Sequence, residues 1–189
     1  GGAGAGKSLL IHVIGQWFEK ELRQSGDDPN RPYILITAFT GTAAANVDGM
    51  TLHSAFNFNF GNEFISLGDK KRDEKRDQLK NLKMVIVDEF SILKADMLYQ
   101  LDLRLRELKQ NTEQVFGGCA MLLLGDILQL KPVMGRYIFE QPLCPDYHLS
   151  HIISPLWQQM KVLLLTQNHR QGEDFSYAEI LNRERSGSQ

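Results

Sequence analysis

Hydrophobic residues recur along the chain with two spacings, and each spacing predicts a different kind of element. Helical spacing predicts one amphipathic helix over 9–22, with Val13 and Trp17 on its apolar face, and a second over 95–108. Short apolar runs predict buried parallel strands at 33–38, 84–87, 120–124 and 162–165. This alternation predicts a doubly wound α/β fold, with helices on both faces of a mostly parallel sheet.

Three stretches between these elements carry weaker signals. The alternating aromatic residues of 55–60 have the period of a strand, and we interpret them as its apolar face in preference to a surface for stacking nucleic-acid bases. The mixed-sign charge run 69–80 predicts a solvated helix or loop. Ser154 and Pro155 are suited to open a short helix that carries Trp157.

The first eight residues, GGAGAGKS, match the phosphate-binding pattern G-x-x-x-x-G-K-[ST]. Glycines let backbone N–H groups approach phosphate oxygens, Lys7 is suited to reach the β- and γ-phosphates, and the Ser8 hydroxyl is suited to bind Mg²⁺. The predicted nucleotide-binding residues are Gly1, Gly2, Ala3, Gly4, Ala5, Gly6, Lys7 and Ser8. A strand normally leads into such a loop, so we expect the chain to be part of a longer protein. A glycine-rich flexible terminus is the alternative.

Polar residues follow all four predicted strands, where the carboxyl ends of parallel strands form a ligand-binding crevice. Asp88 is placed to bind Mg²⁺, and the neighbouring Glu89 to orient or deprotonate the attacking water. Gln129 is suited to sense the γ-phosphate. Arg170 offers a planar cation for the charge that develops on the transferring phosphoryl group. The pattern therefore predicts an ATP-hydrolysing site that uses Mg²⁺.

Composition narrows the class of protein without identifying a partner. The 189 residues are 42% hydrophobic and 23% charged, which is typical of one globular domain. The formal net charge of −2 means that any nucleic-acid site has to be a local patch. Cys119 and Cys144 lack the spacing of a metal site, and no apolar run is long enough to span a bilayer.

The motifs resemble, in order, those of the PIF (petite integration frequency) DNA helicases of superfamily 1, in its RecD-like branch. The matching stretches are GGAGAGKS from Gly1, TAFTGTAA from Thr37, TLHS from Thr51, VDEFS from Val87, FGG from Phe116, GDILQLKPV from Gly125 and NHRQ from Asn168. The resemblance implies an ATP-dependent 5′-to-3′ DNA helicase. Residues 1–171 would form its first RecA-like motor domain, and 172–189 the start of the following region. The expected partners are single-stranded DNA, duplex junctions and a second RecA-like domain, with no membrane partner.

The same resemblance implies further residue roles and a cellular context. Thr40, Gly41 and Thr42 match a segment that grips single-stranded DNA, and His53 of the TLHS motif joins this DNA-binding set, although a lone histidine is more often structural. Family members suggest DNA repair, recombination and telomere maintenance. They favour the nucleus and also allow the mitochondrion.

Two positions depart from the family pattern, and two other functions remain open. Phe90 stands where a smaller aliphatic residue is usual, and Lys131 where proline is common, so that Lys131 becomes a candidate for an extra DNA phosphate contact. The alternatives are a P-loop ATPase of another class and a truncated nucleotide- or DNA-binding module without catalysis. A GTPase is disfavoured because no Asn-Lys-x-Asp motif occurs. We expect the isolated chain neither to unwind DNA nor to hydrolyse ATP at a useful rate.

Overall fold

A computed structural model describes residues 5–58, 63–127, 132, 136–140 and 156–166 of the chain. The α-helices are α1 (Lys7–Leu22), α2 (Gly41–Asn46), α3 (Leu52–Phe56), α4 (Asp69–Gln78) and α5 (Ala95–Lys109). The strands are β1 (Ile34–Ala38), β2 (Met50–Thr51), β3 (Met84–Asp88) and β4 (Ala120–Leu123). Short 3₁₀ turns lie at Phe90–Ile92, Val115–Gly118 and Leu156–Gln159.

The four strands form one parallel sheet in the order β2-β1-β3-β4. The predicted strands β1, β3 and β4 are confirmed, and β1 and β3 are buried as expected. Burial was wrongly predicted for β4, which lies at the edge of the described sheet and is only partly buried, and the short edge strand β2 was not foreseen. Thr37 is fully buried, and its hydroxyl donates to the Ile86 carbonyl over 2.8 Å, which adds a side-chain bond between β1 and β3. Parallel pairing places the carboxyl ends of these strands at one edge of the sheet.

Helices cover both faces of the sheet, as predicted. On one face, Ile34 and Ile86 pack with Ile11 of α1. On the other face, Leu35 and Val85 pack with α3 and α5 in the larger core cluster. Alternation along each strand explains this division, since successive side chains point to opposite faces.

The predicted helices hold with one correction to α1. The α5 stripe is buried at Leu98, Leu101, Leu105 and Leu108. In α1, Val13 and Trp17 are more than half exposed, so the buried stripe is narrower than the helical spacing suggested. Helix α4 has no buried residue, which confirms a solvated charged helix. In the described parts of the chain, no helix has the length and apolar character needed to cross a membrane.

Two sequence predictions about strands were wrong. The segment 161–166 has no regular structure, and Val162, Leu163 and Leu164 are largely exposed, at 70%, 88% and 77%. An apolar run predicts burial but forms a strand only where a partner backbone is available. Residues 55 and 56 end helix α3, which begins after Thr51 accepts a hydrogen bond from the Ser54 N–H. This cap favours a helix over the strand that the aromatic alternation suggested.

We expect Gly49→Ala to destabilise the domain by about 1–3 kcal/mol. Gly49 passes so close to β1 that an added Cβ would lie 2.5 Å from the Ile36 carbonyl oxygen, and backbone cannot yield without disturbing the sheet. Chemical denaturation measures the effect. Gly41→Ala is the matched control, because a Cβ at Gly41 meets no atom within 4 Å. Equal unfolding free energies for the two variants would contradict the close approach.

Candidate functional site

The described end of the glycine loop joins directly onto helix α1. Gly6 has φ 79° and ψ 18°, a left-handed conformation that glycine adopts without steric cost, and the helix begins at Lys7. Lys7 and Ser8 therefore belong to the first turn, two residues earlier than the predicted start. This turn contains no acidic side chain, so the positive end of the helix dipole faces the loop without a neighbouring carboxylate on the same turn. Ala5 completes the described part of the loop, and Gly1, Gly2, Ala3 and Gly4 lie outside the described residues.

The two predicted carboxylates occupy the carboxyl end of β3. Asp88 is 8% exposed, and its Oδ1 accepts a hydrogen bond from the Glu89 N–H over 2.9 Å. Glu89 ends the strand in a left-handed conformation, with φ 55° and ψ 43°. Non-glycine residues are uncommon in the left-handed region, and this conformation turns the chain sharply after Asp88.

Electrostatics connect Lys7 with both carboxylates. Burial raises the pKa of Asp88, while the Glu89 N–H and the charge of Lys7 lower it. Burial also raises the pKa of Glu89, the charge of Asp88 raises it further, and Lys7 lowers it. The structure thus brings the lysine of the loop and the carboxylates of β3 together, although 80 residues separate them in the sequence.

The cluster also fits a magnesium ion. No group of three or more His, Cys, Asp or Glu side chains in the described part of the chain is arranged to hold a metal. Mg²⁺ in nucleotide sites usually takes one or two protein ligands and completes its shell with phosphates and water. A hydroxyl from Ser8 and a carboxylate from Asp88 match that demand.

The segment predicted to bind DNA lies at the same edge of the sheet. Ala38 of β1 is aligned with Asp88 of β3, so the residues that follow both strands emerge together. The Thr40 hydroxyl accepts a hydrogen bond from the Ala43 N–H over 3.1 Å and caps α2. Thr40, Gly41 and Thr42 are exposed. Their backbone and hydroxyl groups are accessible to a ligand.

His53 lies close to this segment inside a small aromatic cluster. Its ring makes edge contacts with Phe39 at 5.8 Å and Phe58 at 6.2 Å between centroids. Burial lowers the pKa of His53. These contacts give the residue a packing role, and its assignment to DNA binding stays a prediction.

We expect acid to destabilise the domain through His53. Because its pKa is lowered from the ordinary value of 6.5, the folded protein takes up this proton less readily than the unfolded chain. The associated stability is fully present above about pH 6.5 and is lost as the pH falls through the lowered folded-state pKa. Thermal unfolding of His53→Gln across this range should show a shallower acid limb than wild type. An unchanged limb would mean that other groups carry the dependence.

Hydrogen bonds that were not predictable from the sequence join the segment after β4 to the turn after β3. The Leu124 N–H donates to the Val87 carbonyl over 2.8 Å, and the Phe90 N–H donates to the Leu124 carbonyl over 3.1 Å. Asp126 follows and is 6% exposed. The only signal for these contacts was the polar stretch after the third apolar run. The predicted residues Gln129, Lys131 and Arg170 lie outside the described residues.

A parallel sheet covered on both faces, a glycine loop that opens a helix, and a carboxylate pair at a strand end define a RecA-like P-loop α/β domain. The sequence profile of the PIF1-like helicases matches residues 1–184, and the chain belongs to that family. The ATP-dependent DNA helicase RRM3 of Saccharomyces cerevisiae is 32% identical over 199 residues, covering 99% of this chain and 24% of the relative. PIF1 of the same species is 31% identical over 193 residues, covering 100% of this chain and 21% of the relative.

Solved structures agree with this family membership. The Pif1 helicase from Candida albicans matches with a TM-score of 0.74 and 26% identity, over 97% of this chain and 39% of that protein. Pif1 from Bacteroides in complex with ADP-AlF3 and single-stranded DNA matches with a TM-score of 0.72 and 26% identity, over 97% of this chain and 41% of that protein. The chain thus spans about a quarter of the two yeast relatives and about two fifths of these structures.

Proposed function

We propose that this chain is the first RecA-like motor domain of an ATP-dependent DNA helicase that moves 5′-to-3′ along single-stranded DNA. The observation that carries the proposal is geometric: left-handed Gly6 leads into helix α1, whose first residue is Lys7, while Asp88 and Glu89 stand at the carboxyl end of β3. One cation and two carboxylates beside a helix N-terminus suit a bound triphosphate, its Mg²⁺ and an attacking water. Membership of the PIF1-like helicases supports the same function.

Each residue of the site then receives a role. The loop Gly1–Gly6 cradles the phosphates through its N–H groups, and Lys7 contacts the β- and γ-phosphates. Ser8 and Asp88 would hold Mg²⁺, which would supply positive charge to neutralise the phosphates. The remaining residues assigned to hydrolysis are Glu89 as the base, Gln129 as the γ-phosphate sensor and Arg170 as the arginine finger.

The partly buried position of Glu89 beside Asp88 suits it to act as the base. Burial and the neighbouring Asp88 raise its pKa, which brings the carboxylate closer to the proton affinity that general-base catalysis favours near neutral pH. Its left-handed backbone turns the chain out of the strand direction directly after Asp88. Asp88 remains the more buried group and the better metal ligand.

Single-stranded DNA is the proposed second ligand, gripped by Thr40, Gly41, Thr42 and His53. Exposure of the threonine segment supports this, as does the related Bacteroides Pif1, which has been solved with single-stranded DNA. Contacts from hydroxyls and backbone to phosphates position a strand without reading its sequence. A motor that moves along DNA of any sequence requires such sequence-independent contacts.

We expect Thr42→Ala to weaken single-stranded DNA binding by about two- to tenfold, the loss of one hydrogen bond. Fluorescence anisotropy with two oligonucleotides of different sequence measures the effect, which should be equal for both. Thr112→Ala is the control, because Thr112 is exposed in the loop after α5. A loss confined to one sequence would contradict phosphate gripping.

The proposed domain spans residues 1–171, with 172–189 beginning the next region. A second RecA-like domain of the full-length protein would complete the ATP cleft and couple hydrolysis to domain closure. The curated relatives indicate a role in DNA metabolism. We extend this to repair, recombination and telomere maintenance, in the nucleus in preference to the mitochondrion.

The deciding experiment measures ATP hydrolysis by the full-length protein with and without single-stranded DNA, followed by strand displacement from substrates with a 5′ or a 3′ tail. The proposed 5′-to-3′ helicase requires strong stimulation by DNA and unwinding from the 5′ tail. Hydrolysis that ignores DNA would instead indicate a P-loop ATPase of another class. Nucleotide or DNA binding without hydrolysis would indicate a non-catalytic module.

A further inference from the structure

The residue that follows the proposed base belongs to an aromatic pair. Phe90 follows Glu89 in the chain, and its ring centroid is 5.8 Å from that of Trp157. The Phe90 ring also lies against the segment that follows β4, where a Cβ built on Gly125 would lie 2.8 Å from Cδ1 of Phe90. Gly125 therefore leaves room for the phenyl ring, which packs near both Gly125 and Trp157.

This packing constrains the backbone of Glu89. A left-handed conformation is unfavourable for a non-glycine residue, so it persists only where its surroundings hold it. Phe90 supplies that restraint twice, through its N–H bond to the Leu124 carbonyl and through its ring. Without the ring, the turn after Asp88 has space in which to relax.

Trp157 has further packing partners besides Phe90. It belongs to the 3₁₀ turn Leu156–Gln159, whose first residue is 7% exposed. Phe139 lies 6.4 Å from the Trp157 ring and stacks on Tyr137 at 5.0 Å between centroids. Tyr137 pairs with Lys94, just before α5 begins. Aromatic contacts thus connect the turn after β3 with Tyr137, and a backbone bridge connects Tyr137 with Lys94 before α5.

We propose that Phe90, supported by Trp157, is a positioning residue that holds the Glu89 carboxylate in its working place. This inference rests on the proposed ATPase function. Phe90 acts through the backbone of Glu89 and not through contact with the nucleotide.

The test compares kcat and KM for ATP in the full-length protein. Phe90→Ala should lower the DNA-stimulated kcat by about tenfold to a hundredfold, the range expected when a catalytic group is misplaced by up to 1 Å. KM for ATP and affinity for single-stranded DNA should change less than about threefold, because Phe90 is proposed to contact neither ligand. A tenfold change would correspond to about 1.4 kcal/mol of lost binding. Phe90→Leu should recover much of kcat because it refills the space beside Gly125.

Trp157→Ala tests the support. This substitution should also lower kcat, by a smaller factor than Phe90→Ala does. The double variant Phe90→Ala, Trp157→Ala should be no slower than Phe90→Ala alone. Trp17→Ala is the matched control, since Trp17 is 55% exposed on α1. Effects that multiply in the double variant would overturn the supporting role of Trp157.

Two further arms separate this inference from the proposed function. If wild type shows no DNA-stimulated hydrolysis, the proposed function fails. If wild type is active and Glu89→Gln is inactive, while Phe90→Ala keeps the wild-type kcat, only the positioning role is overturned. Should Phe90→Ala fail to fold by thermal unfolding, the kcat values of Phe90→Leu and Trp157→Ala decide, and wild-type values for both would overturn the role.

Discussion

Replacing Lys7 by alanine is expected to lower kcat/KM for ATP hydrolysis at least about a hundredfold, the typical effect of losing one preorganised charge-stabilising donor. Lys7 stands in the first turn of α1, at the positive end of the helix, and its charge reaches the β3 carboxylates. Alanine keeps the helix, because it has the highest helix propensity, but removes the cation from the phosphates. Nucleotide binding should weaken in the same variant.

The measurement is steady-state hydrolysis with saturating single-stranded DNA, together with nucleotide affinity by a fluorescent analogue. Lys20→Ala is the matched control, because Lys20 is an exposed lysine in the last turn of the same helix. Its activity should equal that of wild type within about twofold, as expected for a surface substitution. Near-wild-type hydrolysis by Lys7→Ala would remove the phosphate-binding role of the loop.

Replacing Glu89 by glutamine is expected to lower kcat by about 10²- to 10⁴-fold, the contribution of general-base catalysis, while ATP binding is retained. The amide has nearly the shape of the carboxylate but cannot accept the proton of the attacking water. It also removes the repulsion that raises the pKa of Glu89 beside Asp88. The variant should therefore unfold at the wild-type temperature or above it.

Single-turnover hydrolysis separates this effect from product release, and nucleotide affinity shows whether the site is intact. Glu113→Gln serves as the control, since Glu113 is exposed in the loop after α5. A Glu89→Gln protein that hydrolyses ATP normally would exclude Glu89 as the base. A protein that no longer binds ATP would show a structural role for the carboxylate.

Much of this domain was predictable from sequence because its elements are amphipathic or fully buried. The runs that became β1 and β3 are apolar because both faces of the sheet are covered there, and burial leaves a direct trace in composition. The run that became β4 is apolar as well, although this strand lies at the edge of the described sheet and none of its residues is fully buried. The α5 stripe has the same origin. The loop before α1 was found because backbone contact with phosphate demands small residues at fixed positions.

The sequence by itself therefore determined the parallel α/β architecture, the elements that carry Lys7, Asp88 and Glu89, and the family of the chain. Only the tertiary structure decided how they meet. The register of β1 with β3, the left-handed turn at Glu89 and the packing of Phe90 against Gly125 and Trp157 depend on residues distant in sequence. It also decided that 162–165 is not a strand and that residues 55 and 56 are helical. Local periodicity records whether a segment is buried, whereas strand pairing and side-chain contacts depend on which partner lies opposite.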